Sequence, residues 1–459
     1  MTSRQIGSRE PHLRPPSCRV QRRKLRHSDS LGDFPCEERA GKPRYPSLIA
    51  CKYQCVKRAS SFAKSVGIQL LDEDTLIEIL SRLSLEFVTL LKCVCKHWLH
   101  LINSNSFRNA HFQKSNNGVD GIFLQGLFYC LCCKDVQDFP SPDFVGIDKE
   151  GRSVVRRNML DFLPEKTTVV SSSNGLIICR SFFRRIKDHI YSVPMENPPH
   201  AKLLIYVCNP LTKEFCVLKP NLQNTGRCAL GLASTSTYFQ VLVVRMRRKA
   251  NGTFCYFFKI FSSKTNTWRL SKDKCYHSHR LLLQSHAFAN GVFYWLALGH
   301  SILAFDLEKE RSHIFKLPGP VLYEGCPFGF CIGVSEGKLH YVVSTKAEFM
   351  VWILTGDYLN PQWQLKHFRH AFCEMLVDPK EYDGAINSNA DFNSAPNRVI
   401  NPCAFKDDVV FIDWDYYLTG YNIKTGDIEK LLCFRDLKTQ SLSMPFVLPY
   451  SRSLLPVLQ

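Results

Sequence analysis

Tyr206-Val207-Cys208-Asn209-Pro210-Leu211-Thr212-Lys213-Glu214-Phe215 reads as an apolar strand, a polar turn and a second strand. The arrangement returns as Ile260-Phe261-Ser262-Ser263-Lys264-Thr265-Asn266-Thr267-Trp268, and in weaker form at Ala304–Lys309 and Tyr421–Asp427. A second element is a tight turn that leads into a strand. It occurs as Ser173-Asn174-Gly175-Leu176-Ile177, Ala289-Asn290-Gly291-Val292-Phe293, Ser335-Glu336-Gly337-Lys338-Leu339 and Lys406-Asp407-Asp408-Val409-Val410. Successive copies of the first element lie about 40–55 residues apart, with a larger gap before the last, which is the period of a four-stranded propeller blade. At about 45–50 residues per blade, the roughly 330 residues after Asn116 give six or seven blades. A sandwich or barrel with irregular hairpins is the alternative. The clearest strand candidates are Leu176–Cys179, Leu203–Val207, Val241–Val244, Tyr256–Phe261, Val292–Leu296, Leu303–Leu307, Leu339–Val343, Val351–Leu354 and Val409–Asp413. Gly384–Arg398 is poor in apolar residues and is expected to be a long surface loop.

Residues 66–112 follow a different period. Asp72-Glu73-Asp74 supplies acidic groups that suit the start of a helix. Leu76, Ile79, Leu80 and Leu83 then repeat on one helical face. After Ser84 a second helical run is expected through Val88, Leu91, Val94, Cys95 and Trp98 to Leu101 and Ile102. So small a unit cannot bury that many apolar side chains on itself. Periodicity leaves open whether the surplus packs on the rest of the chain or on a partner.

The 459 residues carry a formal net charge of +18, and 45% of them are hydrophobic. Residues 1–60 hold 14 of the 59 Lys/Arg and 5 of the 41 Asp/Glu, so half of the excess sits in that segment. The segment is expected to be a disordered basic tail. Its Arg22-Arg23-Lys24-Leu25-Arg26-His27 run suits a nuclear-import signal or weak phosphate binding, or is a solvated tail without an address. A mild charge on the remainder speaks against a large nucleic-acid face there and leaves the tail as the candidate. The start lacks the apolar stretch of a signal peptide, and no apolar run reaches the roughly 20 residues of a membrane span. The expected location is the nucleus, the cytoplasm or both, and the 20 cysteines are expected to be reduced.

Leu70-Leu71-Asp72-Glu73, Leu76-Ile77-Glu78-Ile79-Leu80-Ser81-Arg82-Leu83, Leu90-Leu91-Lys92-Cys93-Val94-Cys95-Lys96-His97-Trp98, Leu101-Ile102 and Phe107 together resemble an F-box. The family usually has proline where Leu71, Ser84 and Asn105 stand, so three rigid helix boundaries are missing here. Val170-Ser171-Ser172-Ser173-Asn174-Gly175-Leu176 and Cys208-Asn209-Pro210-Leu211-Thr212-Lys213 resemble signatures of the F-box-associated, Kelch-like domain of plant F-box proteins. Leu230-Gly231-Leu232-Ala233 stands where that family has a Gly-aromatic-Gly turn. The expected fold class is α+β multidomain: residues 1–65 a tail, 66–112 a small helical F-box, and 116–450 an all-β propeller. The resemblance implies the substrate-recognition subunit of an SCF-type ubiquitin ligase. Its F-box docks a Skp-type adaptor, and through it a cullin and a RING subunit. Its propeller holds a target, expected to be a protein, at unknown residues. The implied adaptor face is Leu70, Leu71, Leu76, Ile79, Leu83, Leu90, Val94 and Trp98. Trp98 is either its hot spot or an internal anchor. A propeller scaffold that does not recruit the ligase is the second reading.

No catalytic motif and no cofactor signature is present. Cys130-x-x-Cys133, Cys51/Cys55 and His277/His279 lack the partner pairs of a zinc site. Cys93 and Cys95 beside His97 read as packing residues, because adjacent helix positions do not face each other.

Overall fold

Tight turns with positive φ set the geometry of the β region. Asn174/Gly175, Asn290/Gly291, Glu336/Gly337 and Asp407/Asp408 all have both central residues at positive φ. Such two-residue turns match the right-handed twist of an antiparallel hairpin. Each sits where the sequence repeats its turn-into-strand element, and each joins the first two strands of a blade. A computed structural model describes residues 71–114, 118–125, 142–147, 153–156, 158–181, 204–220, 228–319, 329–345, 348–370, 400–414, 417–434 and 446–457. The basic tail, Leu70, the Cys130/Cys133 pair and the expected loop Gly384–Arg398 lie outside these residues.

Among the described residues, 24 strands form six four-stranded blades. The first blade contains β1 (Gly121–Gln125), β2 (Asp143–Ile147) and β3 (Ser153–Arg156), and its innermost strand comes from the far end of the chain as β24 (Phe446–Tyr450). The second is β4 (Thr167–Ser173), β5 (Leu176–Ser181), β6 (Ile205–Asn209) and β7 (Glu214–Leu218). The third is β8 (Cys228–Ser234), β9 (Phe239–Arg248), β10 (Phe254–Ser262) and β11 (Thr267–His277). The fourth is β12 (Leu281–Ala289), β13 (Val292–Ala297), β14 (Ser301–Asp306) and β15 (Arg311–Lys316). The fifth is β16 (Phe330–Ser335), β17 (Lys338–Ser344), β18 (Glu348–Leu354) and β19 (Trp363–His370). The sixth is β20 (Asn401–Lys406), β21 (Val409–Trp414), β22 (Tyr417–Asn422) and β23 (Ile428–Cys433).

The inner strands β4, β8, β12, β16, β20 and β24 touch in that order, and β24 returns to β4. The ring is therefore closed. Leu230-Gly231-Leu232-Ala233, a poor match to the family's Gly-aromatic-Gly turn, lies in inner strand β8. Every one of its residues is buried, and a Cβ at Gly231 would fall 2.5 Å from the Phe293 ring of the next blade. At β16 and β20 the inner strands pair directly, in parallel, with Gly333 opposite Phe405. A Cβ at Gly333 would overlap the Phe405 carbonyl oxygen, so this approach requires glycine.

A charge cluster ties the same two blades. Asp408 accepts from Lys366 Nζ at 2.8 Å and pairs with Lys424 Nζ at 2.8 Å, and Lys424 also reaches Glu336 at 2.7 Å. Burial alone would raise the Asp408 carboxyl, but hydrogen bonds from Lys366 and Lys424 hold it down at about 2. His340 completes the cluster. Its Nδ1 lies 3.0 Å from the Lys338 carbonyl and its Nε2 3.2 Å from Lys366 Nζ, so the neutral ring donates through Nδ1 and accepts through Nε2. Burial pushes His340 down to about 4. The unfolded imidazole takes up its proton near pH 6.5, while the folded one resists until about pH 4. Stability is thus fully present above pH 6.5 and is lost as the pH falls toward 4. The wild-type protein is expected to lose on the order of 2–3 kcal/mol more than His340→Gln across this window, read by chemical denaturation at each pH.

Candidate functional site

Four helices precede the propeller: α1 (Glu73–Leu80), α2 (Leu85–Leu91), α3 (Lys96–Asn103) and α4 (Asn105–Lys114). The single run expected from Val88 to Ile102 is therefore two helices. Cys95 adopts an extended conformation between them, and its Sγ accepts from the Trp98 amide at 3.4 Å, which caps α3. The break re-phases the chain so that Val88 and Trp98 both join one core. The role of Cys95 is thus a cap. The missing prolines are offset at two boundaries. Asp72 Oδ1 accepts from the Thr75 amide at 2.7 Å, and Ser104 Oγ accepts from the Phe107 amide at 3.2 Å. Glu78 adds pairs to Arg82 and Lys114, joining α1 to α4.

The helical core comprises Leu76, Leu80, Val88, Trp98, Leu101, Ile102 and Phe107. It is completed from far away: Leu454 belongs to it, and Leu211 packs against it. Residues 451–457 run between the helices and the second blade. Ser453 Oγ donates to the Asn174 carbonyl at 2.6 Å. Asn209 Nδ2 donates to the carbonyls of Ser453 and Leu455 at 3.0 and 2.8 Å, while its Oδ1 accepts from the Leu211 amide at 3.0 Å. A Cβ at Gly175 would overlap Ser453, and Gly175 has φ +84°. The two signature stretches, Ser173-Asn174-Gly175 and Asn209-Pro210-Leu211, thus converge on the chain's return segment and clamp it under the helices. Leu455 and Val457 bury into the core between the second and third blades, where Phe112 of α4 also packs.

The expected adaptor residues divide. Leu76 and Trp98 are buried in the chain's own core, with Trp98 8% exposed. Leu90 and Val94 are half-buried, and Leu71, Ile79 and Leu83 are exposed. The structure adds Phe87, 63% exposed, and Leu99. The sequence did not single these two out, because they fall off the stripe that fills the core. A second exposed stripe on the same helices was the signal that could have found them. Five of the 13 exposed large apolar residues among the described ones lie within residues 71–114, so the exposed apolar surface concentrates on the small helical module.

Among the described residues no helix is long and apolar enough to cross a membrane, and no group of three or more His, Cys, Asp or Glu could hold a metal ion. His277 and His279 stack edge to face at 5.4 Å, and His277 Nε2 lies 2.8 Å from Ser301 Oγ.

A small helical module with an exposed apolar face, fastened to a closed propeller, defines an F-box protein with a β-propeller. The F-box domain model matches residues 68–109. The chain belongs to the family described as F-box protein At3g26010-like, beta-propeller, whose model matches residues 135–377. Among curated relatives, F-box protein At5g07610 of Arabidopsis thaliana is 25% identical over 334 residues, covering 68% of this chain and 73% of that protein. F-box protein At5g49610 of the same plant is 26% identical, covering 65% and 76%. F-box protein At5g03970 is 25% identical over 402 residues, covering 83% and 88%.

Trp98→Ala removes a buried aromatic from the helical core and is expected to cost about 3–5 kcal/mol. Asn209→Leu removes the hydrogen bonds that hold the clamp and leaves the Ser453 and Leu455 carbonyls without their donor. It is expected to destabilise by about 2–4 kcal/mol. Phe87→Ala should change stability by less than about 0.5 kcal/mol. Thermal and urea melts of these variants check the order.

Proposed function

We propose that the protein is the substrate-recognition subunit of an SCF-type ubiquitin ligase. The observation that carries this reading is the exposed apolar set Leu71, Ile79, Leu83, Phe87 and Leu99 on a module whose other face is already used by its own core. A face of this kind needs a partner, and a Skp-type adaptor is the partner that the F-box family supplies. Cullin and RING subunits follow through it.

On this reading the chain contributes position and no catalytic group. The clamp of residues 451–457 fixes the helices to the propeller. A target held by the propeller therefore stays at a defined distance from the adaptor, and its lysines gain effective concentration near the charged ubiquitin carrier. Trp98 acts from within: it shapes the docking face and does not form it. The absent prolines do not weaken this reading, because Asp72 and Ser104 cap α1 and α4.

The test is co-purification of the full chain with a Skp-type adaptor. Wild type is expected to capture the adaptor in one-to-one ratio. Ile79→Ser/Phe87→Ser should reduce capture at least tenfold with an unchanged melting temperature, whereas Trp98→Ala/Leu83→Ala should lose capture together with helical stability. A folded wild type that captures no adaptor would overturn the proposal in favour of a propeller scaffold without ligase recruitment.

A further inference from the structure

Residues 61–459 carry 45 Lys/Arg against 36 Asp/Glu. The third blade accounts for the whole excess. Residues 228–280 contain ten Lys/Arg and one acid, Asp273, which leaves 35 of each sign for everything else after residue 60. A mild average therefore conceals one strongly basic blade on an otherwise balanced body.

The cations gather at one end of that blade. Arg247 and Arg248 end β9, Lys249 opens the turn to β10, and Lys272 and Lys274 lie on the outer strand β11; all five are exposed. Register puts Arg247 in line with Cys255 and Tyr276, and Lys274 beside Phe257 two positions along, so these side chains share one face of the sheet. Lys249 Nζ sits 4.1 Å from the centre of the exposed Tyr276 ring. The one acid is turned away: Asp273 accepts from the amide of Ser312 at 2.7 Å and from its hydroxyl, in the next blade. Among the described residues no carboxylate pairs with any of the five cations, so this end of the blade keeps its full positive charge. An acidic partner complements that charge.

This end of the blade also points the right way. The turns Asn174/Gly175 and Pro210–Lys213 face the helices, and antiparallel alternation sends the β9–β10 turn to the opposite face of the ring. A partner bound there does not compete with the adaptor.

We propose that the end of the third blade, around Arg247, Lys249, Lys274 and Tyr276, docks an acidic, extended segment of the target protein. The proposal rests on the receptor reading above and names its substrate class. A single-stranded nucleic acid is the less suitable occupant. Base stacking needs open aromatic faces, and Lys249 and Lys274 cover the rings of Tyr276 and Phe257, the latter at 5.7 Å.

The test is fluorescence anisotropy on the full chain with a fluorescein-labelled (Glu-Ser)6 peptide, against (Gln-Ser)6 and a dodecathymidine strand. The glutamate peptide is expected to bind at least tenfold more tightly than the glutamine peptide and than the oligonucleotide. Lys272→Glu/Lys274→Glu should weaken it at least tenfold and Arg247→Gln/Lys274→Gln about threefold. Lys166→Glu/Lys338→Glu, which alters net charge equally at exposed sites elsewhere, should change it less than twofold. Equal binding of the two peptides, equal loss in the control variant, or tighter binding of the oligonucleotide overturns the proposal. Adaptor capture is measured on the same preparations. Its loss with peptide binding intact overturns the receptor reading and leaves the acidic-segment surface standing.

Discussion

The structure depends on a pairing between the two ends of the β region. β24 lies antiparallel to β1, from Gly121 opposite Tyr450 to Gln125 opposite Phe446. Without it the first blade has no inner strand and the ring has a gap between β20 and β4. The loop it closes spans more than 300 residues, yet closure entropy grows only logarithmically with length, so the cost is moderate. The return is large. Tyr450 is fully buried, packs its ring edge-on to Phe123 and Phe144, and donates to the Gly175 carbonyl at 3.3 Å. Closure also turns the outer edges of the inner strands β4, β8, β12 and β24 toward the centre of the ring, where they are protected.

What could be read in the sequence follows burial. Strands β5, β10, β13, β17 and β21 stand second or third in their blades and are covered on both faces. Their runs, such as Val292–Leu296, are therefore largely apolar and were recognisable, although β10 carries Lys259 and β17 carries His340. The outer strands β11, β15 and β19 consist mostly of exposed and half-buried positions without a regular apolar pattern, and Arg269, Lys272 and Lys274 disguise β11 as a loop. The Asn-Gly turns were legible because few residues tolerate positive φ at two successive positions. The break at Cys95 was not. Its signal is a weak thiol acceptor, which carries less information than Ser or Asp at a helix start. The exposed helical stripe was half legible: apolar period pointed to Leu71, Ile79 and Leu83 but passed over Phe87 and Leu99, because inward and outward stripes share that period. The packing of the helices on one another and on Leu454 and Leu211, far away in sequence, selects the stripe that is buried.

The two surfaces that distinguish this chain lie on opposite sides of the ring and differ in kind. On one side the helices present apolar side chains. On the other the third blade presents cations. The first surface favours a stable, shape-matched contact, since apolar burial is proportional to area. The second favours fast capture and exchange, since charge steers encounter more than it holds. On the receptor reading proposed above, that division suits a subunit that keeps its adaptor while targets exchange.

The clamp under the helices has a consequence for how the protein is made. Leu454 joins a core whose Trp98 leaves the ribosome about 350 residues earlier. A chain interrupted before Phe446 lacks both the strand that closes the ring and the side chain that completes the helical core. Its unfinished β edges are exposed at the same time as its docking module is loose. The helical module and the ring are thus completed together, by the last stretch of chain to be made.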